Sequence, residues 1–194
     1  MLTKNINFKN FYLKKNNQNI KKDLKKLLKE NNVILNSLST NYKNSYSKNV
    51  ILKIKNYKNI RVIGMGGSIL GTEAIFDFLK PITKKDFEFV NNLKIKKNSH
   101  TKKNKKLNVV VSKSGNTLET ISNSNILIKK NDKNIFITEN KESYLFLLAK
   151  KLKAEVVHHN NFIGGRFSVL SEVGMLPAEL MGFNPKKFKQ LNNL

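Results

Sequence analysis

Three short stretches carry residue types that can hold and polarise an anion. The most informative is SKSGNTLET, Ser112–Thr120. It follows the apolar run Val109–Val111 and precedes a helical pattern, so it reads as strand, polar turn and helix start. Free backbone N–H groups, the positive end of a helix dipole and the hydroxyls of Ser112, Ser114 and Thr117 would meet there. That is a seat for a phosphate dianion. Lys113 adds a formal charge. Taken alone, the same turn is equally an ordinary capped helix, because Ser, Asn and Thr are common N-cap residues.

The second stretch is GMGGSILG, Gly64–Gly71. Its glycines let a backbone approach an anion, and Ser68 adds a hydroxyl at a helix start. Two nucleotide motifs fail against it. Ile69 stands where a dinucleotide fingerprint needs its third glycine, and the next strand ends in Asn91 and Asn92 rather than an acid. Thr72 stands where a Walker loop needs lysine. The third stretch is NFIGGRFSVLSEVGMLPAEL, Asn161–Leu180, where Gly164 and Gly165 precede Arg166. A guanidinium presented by such a turn can stabilise charge that develops in a transition state.

These stretches need elements to position them. Ile20, Leu24, Leu27 and Leu28 fall at helical spacing and predict an amphipathic helix, while residues 31–48 are a second helix or a loop. Strands are expected at 59–63, 87–90, 107–111, 134–138 and 154–157. Helices are expected at 69–79, 117–130 and 143–152, with Pro81 ending the first and Asn116 and Glu119 spaced as a capping box for the second. The alternation predicts βαβ crossovers: a three-layer α/β/α domain on a parallel sheet of about five strands, with an N-terminal helical extension. Ligands of such sheets bind beyond the carboxyl ends of the strands, where both glycine- and serine-rich turns fall.

Bulk composition narrows the classes further. The 194 residues are 39% hydrophobic, enough for one core. Cysteine is absent, so disulfides and thiol catalysis are excluded. No secretory leader and no run long enough to span a membrane is visible, which gives a cytoplasmic expectation. The net charge of +24 raises nucleic-acid binding, but only Arg61 and Arg166 are arginines and the lysines are spread over the whole chain. Arginine is the residue that forks onto phosphates and base edges, so compositional drift is the preferred reading. The lysine-dense stretch Leu93–Lys106 reads as a solvated insertion. His100 lies in that insertion, and His158 and His159 are adjacent on a strand and would face opposite ways, which disfavours a metal site.

Together, VIGMGGSILG (62–71), VVVSKSGNTLET (109–120) and GGRFSVLSEVGMLPAEL (164–180) resemble the signature segments of glucose-6-phosphate isomerase, in matching order. The first two resemble the wider sugar-isomerase (SIS) fold, and the third is specific. The resemblance implies interconversion of glucose 6-phosphate and fructose 6-phosphate in glycolysis and gluconeogenesis, through a cis-enediol, without metal or organic cofactor. By position, Ser112, Lys113, Ser114 and Thr117 match the phosphate turn, Gly67 and Ser68 the first turn, and Gly165 and Arg166 the pair near the reacting carbons. It divides the chain into an arm (1–50), a sugar-phosphate domain (51–160), and a GGR segment leading toward a second SIS domain (161–194). It also implies a homodimer in the complete form.

The resemblance covers about the first half of the family's chain. The segments that carry the family's catalytic glutamate, its G-T-N-G-Q-H histidine and a late lysine do not occur in these residues. Thr72 and Glu172 stand where the family often has proline. The expectation is therefore an N-terminal part that lacks the general base and is inactive or nearly so alone. The alternatives are a stand-alone SIS-type regulatory module and, more weakly, a basic nucleic-acid-binding protein.

Overall fold

The computed structural model describes residues 18–30, 32–93 and 105–190. Most of the lysine-dense stretch lies outside them, as do residues 1–17. Two compact units are distinguished, Met1–Asn32 and Val33–Leu194. In the first, α1 (Gln18–Leu28) carries Ile20, Leu24, Leu27 and Leu28 along one stripe.

The second unit begins with two short helices, α2 (Val33–Leu38) and α3 (Lys48–Ile54), with a loop between them. There follow β1 (Asn59–Ile63), α4 (Leu70–Leu79), β2 (Asp86–Val90), β3 (Leu107–Val111), α5 (Leu118–Leu127), β4 (Lys133–Thr138), α6 (Tyr144–Lys151), β5 (Glu155–His158), α7 (Glu172–Leu180) and α8 (Pro185–Lys189). All five strands are parallel, in the order β2-β1-β3-β4-β5. The order reverses between β1 and β3, which opens a crevice at their carboxyl ends.

Period-two alternation divides the core between the sheet faces. Val109, Val111, Ile135 and Ile137 face one side and pack with Ile51 and Ile54 of α3 and Val173, Leu176 and Leu180 of α7. Val110 and Phe136 face the other and pack with Leu145 and Ala149 of α6. Phe76 of α4 seals the β2 edge against Phe87 and Phe89, with ring centroids 5.3 and 5.5 Å away.

Helix α5 stops three residues before its expected end. Its second half is Ser- and Asn-rich, and the Ser124 hydroxyl donates back to the Thr120 carbonyl at 2.7 Å. Such back-bonding competes with helix propagation. The capping box does not form. Asn116 Oδ1 instead accepts from the backbone N–H of Tyr144 at 2.9 Å, a contact 28 residues distant that local spacing does not reveal.

Helix α7 carries Pro177 in its interior, which leaves the Val173 carbonyl without its usual donor. The Thr72 hydroxyl of α4 supplies a replacement at 3.4 Å. Glu172, at the start of α7, is wholly buried and accepts from the Asn160 N–H at 2.9 Å and the Tyr42 hydroxyl at 3.1 Å. An acid at a helix N-terminus is favoured by the dipole, which offsets part of its burial.

Lys189 of α8 is only 2% exposed, and its Nζ lies 4.4 Å above the Tyr42 ring without a hydrogen-bond partner among the described residues. Burial pushes its pKa down to about 8, against the opposing pull of Glu172. An unfolded lysine titrates near 10.5. Between these values the unfolded chain binds more protons, so this group makes stability rise with pH across that window. Lys189→Met keeps the stem and removes the charge. It is expected to raise Tm at pH 7 and to flatten the rise in Tm between pH 8 and 10. A pH profile unchanged by the substitution would contradict this.

Candidate functional site

The turn after β3 is built by tight packing. Gly115 has φ +67°, and a Cβ there would sit 2.1 Å from the Ser143 hydroxyl, so no side chain fits. Its N–H donates to the Ser112 carbonyl at 3.2 Å, and its own carbonyl accepts from Leu145 at 3.0 Å. The Ser112 and Thr117 hydroxyls lie 3.0 Å apart. Ser114 is exposed, and its hydroxyl accepts from the Asn116 N–H at 3.2 Å. Thr117 is the N-cap of α5 and makes no side-chain cap. The first-turn amides of Leu118 and Glu119 have no partner among the described residues and are free for an anion.

The Lys113 side chain reaches toward the loop that follows β5. Its ammonium donates to the Asn161 carbonyl at 2.6 Å and lies 3.7 Å from Glu139 Oε1. Burial pushes the Glu139 carboxyl up, but the hydrogen bond and charge of Lys141, with the charge of Lys113, hold it below the usual carboxylate range.

The other two turns meet backbone to backbone. Gly67 lies in a short 3-10 turn, Gly66–Ser68, and Gly165 in another, Gly165–Phe167. A Cβ on Gly67 would stand 2.3 Å from the Gly165 carbonyl carbon and 2.7 Å from the Arg166 nitrogen. The Ser168 hydroxyl donates to the Gly165 carbonyl at 2.7 Å and reaches the Gly67 carbonyl at 3.4 Å. Ser68 is half-buried beside this contact. Gly64 closes the set, since a Cβ there would lie 3.0 Å from the Val111 carbonyl at the end of β3. Arg166 is exposed, has no carboxylate partner among the described residues, and rests 5.9 Å from the Phe167 ring centroid.

The three turns thus gather at the carboxyl edge of β1 and β3. His100 lies outside the described residues; among the described residues no group of three His, Cys, Asp or Glu could hold an ion. His158 is exposed while His159 is buried, and burial lowers the His159 pKa. Residue spacing gave no signal of Glu139 or Asn161. Glu139 lies in no motif and Asn161 only opens the third stretch, and both reach the site through Lys113.

Fold and turns together define an α/β domain of the sugar-isomerase (SIS) type. A phosphoglucose isomerase family model matches residues 9–193. Glucose-6-phosphate isomerase of Methanocaldococcus jannaschii is 36% identical over 146 residues, 69% of this chain and 35% of that protein. The enzyme of Acholeplasma laidlawii is 36% identical over 154 residues, 69% of this chain and 36% of that protein. Among solved structures, a hypothetical protein from Thermus thermophilus aligns with a TM-score of 0.62 at 21% identity, covering 87% of this chain and 44% of the other. A tagatose-6-phosphate ketose/aldose isomerase from Escherichia coli aligns with a TM-score of 0.53 at 17% identity, covering 73% and 42%.

The chain belongs to the phosphoglucose isomerase family. It spans about a third of the length of the curated relatives it matches.

The Gly67–Gly165 contact yields a stability prediction. Gly67→Ala is expected to cost about 1–3 kcal/mol in denaturant unfolding, because every atom it meets is backbone and cannot swing aside. Gly66→Ala, at φ +53° with open space around it, should cost less. Equal costs at the two positions would contradict the contact.

Proposed function

We propose that this chain forms the phosphate and arginine part of an aldose–ketose isomerase for glucose 6-phosphate and fructose 6-phosphate. The observation that carries the reading is the packing of Gly165 and the Arg166 backbone on Gly67 of the first turn, beside a turn with free amides and paired hydroxyls. The phosphate would lie on Ser112, Ser114, Thr117 and the first turn of α5, with Ser68 alongside. The sugar would extend toward Gly165 and Arg166. There the guanidinium would stabilise the enediolate formed when a proton leaves the carbon next to the carbonyl.

That proton needs a base beside the arginine turn, and the two buried carboxylates tied to its loop, Glu139 and Glu172, are committed elsewhere. Glu139 is paired with Lys141 at 2.9 Å and with Lys113. Glu172 is buried in hydrogen bonds to Tyr42 and Asn160. A placed base contributes about 10²–10⁴-fold in rate. The 194 residues are therefore proposed to bind sugar phosphates without appreciable turnover. In the assembled enzyme the base, and residues of a second subunit, would come from beyond them. The family membership favours this reading over a regulatory module, and the setting would be cytoplasmic sugar-phosphate metabolism.

The test is calorimetric titration of the purified chain with fructose 6-phosphate and with fructose, beside a coupled isomerase assay. The phosphorylated sugar should bind and fructose should not. Ser112→Ala should weaken binding about tenfold, in line with a lost charge-assisted hydrogen bond. Robust turnover by the chain alone, or equal binding of both sugars, would overturn the proposal.

A further inference from the structure

Lys113 is the single cation of the phosphate turn, yet its ammonium is occupied. It is held by the Asn161 carbonyl at 2.6 Å and by Glu139 at 3.7 Å. Glu139 is itself fixed, since its side chain is 11% exposed and its backbone N–H donates to the Lys113 carbonyl at 3.0 Å. The Thr138 hydroxyl reaches the same carbonyl at 3.3 Å. Lys113 is thereby anchored from both its backbone and its side chain.

Asn161 belongs to the loop that delivers Arg166. Within that loop the Asn160 side chain accepts from the Phe162 N–H at 2.9 Å, and the Asn160 carbonyl accepts from the Ile163 N–H at 3.1 Å. At its far end Gly165 rests on Gly67. The loop is consequently held on the first turn, on the phosphate turn, and at its start by Glu172, which accepts from the Asn160 N–H at 2.9 Å. Of these contacts, only the Lys113 clamp ties the loop to the phosphate turn through a side chain of that turn.

We propose that Lys113 is a positioning residue: clamped between Glu139 and the Asn161 carbonyl, it sets the separation between the phosphate seat and Arg166 rather than neutralising the phosphate. This rests on the proposed function for its ligand. The phosphate is left to amides and hydroxyls, and the ammonium serves recognition of the rest of the sugar phosphate. Inorganic phosphate, which touches only the seat, should then be indifferent to the clamp. A sugar phosphate, which must reach both points, should feel it.

The two roles of Lys113 predict opposite signs at Glu139. The full chain is titrated with inorganic phosphate and with fructose 6-phosphate in wild type, Lys113→Met, Lys113→Arg and Glu139→Gln. A clamp predicts that Lys113→Met and Glu139→Gln each weaken fructose 6-phosphate about tenfold while phosphate changes by less than about twofold, and that Lys113→Arg retains most of the affinity. A direct phosphate ligand predicts equal losses for both ligands in Lys113→Met and tighter phosphate binding in Glu139→Gln, where the ammonium is freed. That second pattern overturns the proposal. A loss of thermal stability with no change in the ratio of the two affinities also overturns it.

A ligand-free readout separates failure of the clamp from failure of the proposed function. Hydrogen exchange at the amides of residues 162–166 should quicken in Lys113→Met and in Glu139→Gln. Unchanged exchange overturns the clamp even if sugar phosphates bind. Quickened exchange upholds the clamp even if wild type binds no sugar phosphate, in which case only the function falls.

Discussion

Everything distinctive about the site depends on the contact of Gly67 with Gly165, where two backbones meet with no side chain between them. A methyl group on Gly67 has nowhere to go, because its neighbours are main-chain atoms rather than flexible tips. The contact fixes the arginine-bearing turn directly on the turn that follows β1. Since β1 and β3 are adjacent strands, it also brings the arginine turn to the side of the turn that follows β3. Backbone packing joins the first and third turns, and the Lys113 side chain ties the third to the second.

The rest of the second unit supports that contact. Helix α7 carries the chain away from the arginine turn and lies against α4. Val169, in the turn before α7, packs on a glycine of each helix: a Cβ on Gly71 of α4 would stand 2.6 Å from its methyl, and one on Gly174 of α7 2.1 Å from its carbonyl. Pro177 leaves a carbonyl unpaired inside α7, and Thr72 meets it from α4. An unsatisfied buried carbonyl costs about 1–3 kcal/mol, so this bond offsets part of the cost of the proline and adds a polar contact between α4 and α7. Glu172, Tyr42 and Asn160 form a second polar tie beneath the arginine loop. These bonds locate the loop without using any residue proposed to touch the sugar.

What the sequence made legible was contiguous. The strand, turn and helix order around Ser112–Thr117 can be read from neighbouring residues, because apolar periodicity and N-terminal helix chemistry are local. The parallel sheet and the edge on which both turns open followed from the same local patterns. What stayed hidden was long-range. Asn116 looked like half of a capping box, but Tyr144 takes its side chain. Lys113 read as a charge beside the phosphate turn, and spacing gave no hint that its ammonium meets the Asn161 carbonyl and Glu139. In each case a residue chosen for its type was claimed by a partner that the fold, not the spacing, brings near. The arginine is the converse case. Its turn has no local marker beyond two glycines, and the significance of Gly165 lies in Gly67, far away in the chain.

The central claim is that three turns act as one sugar-phosphate site. Backbone amide NMR of the full chain titrated with fructose 6-phosphate tests it most directly. The account predicts concerted shifts, with one dissociation constant, at residues 112–120, 66–68 and 165–166. Shifts confined to one turn, or spread over the lysine-bearing surface and lost with added salt, would contradict it.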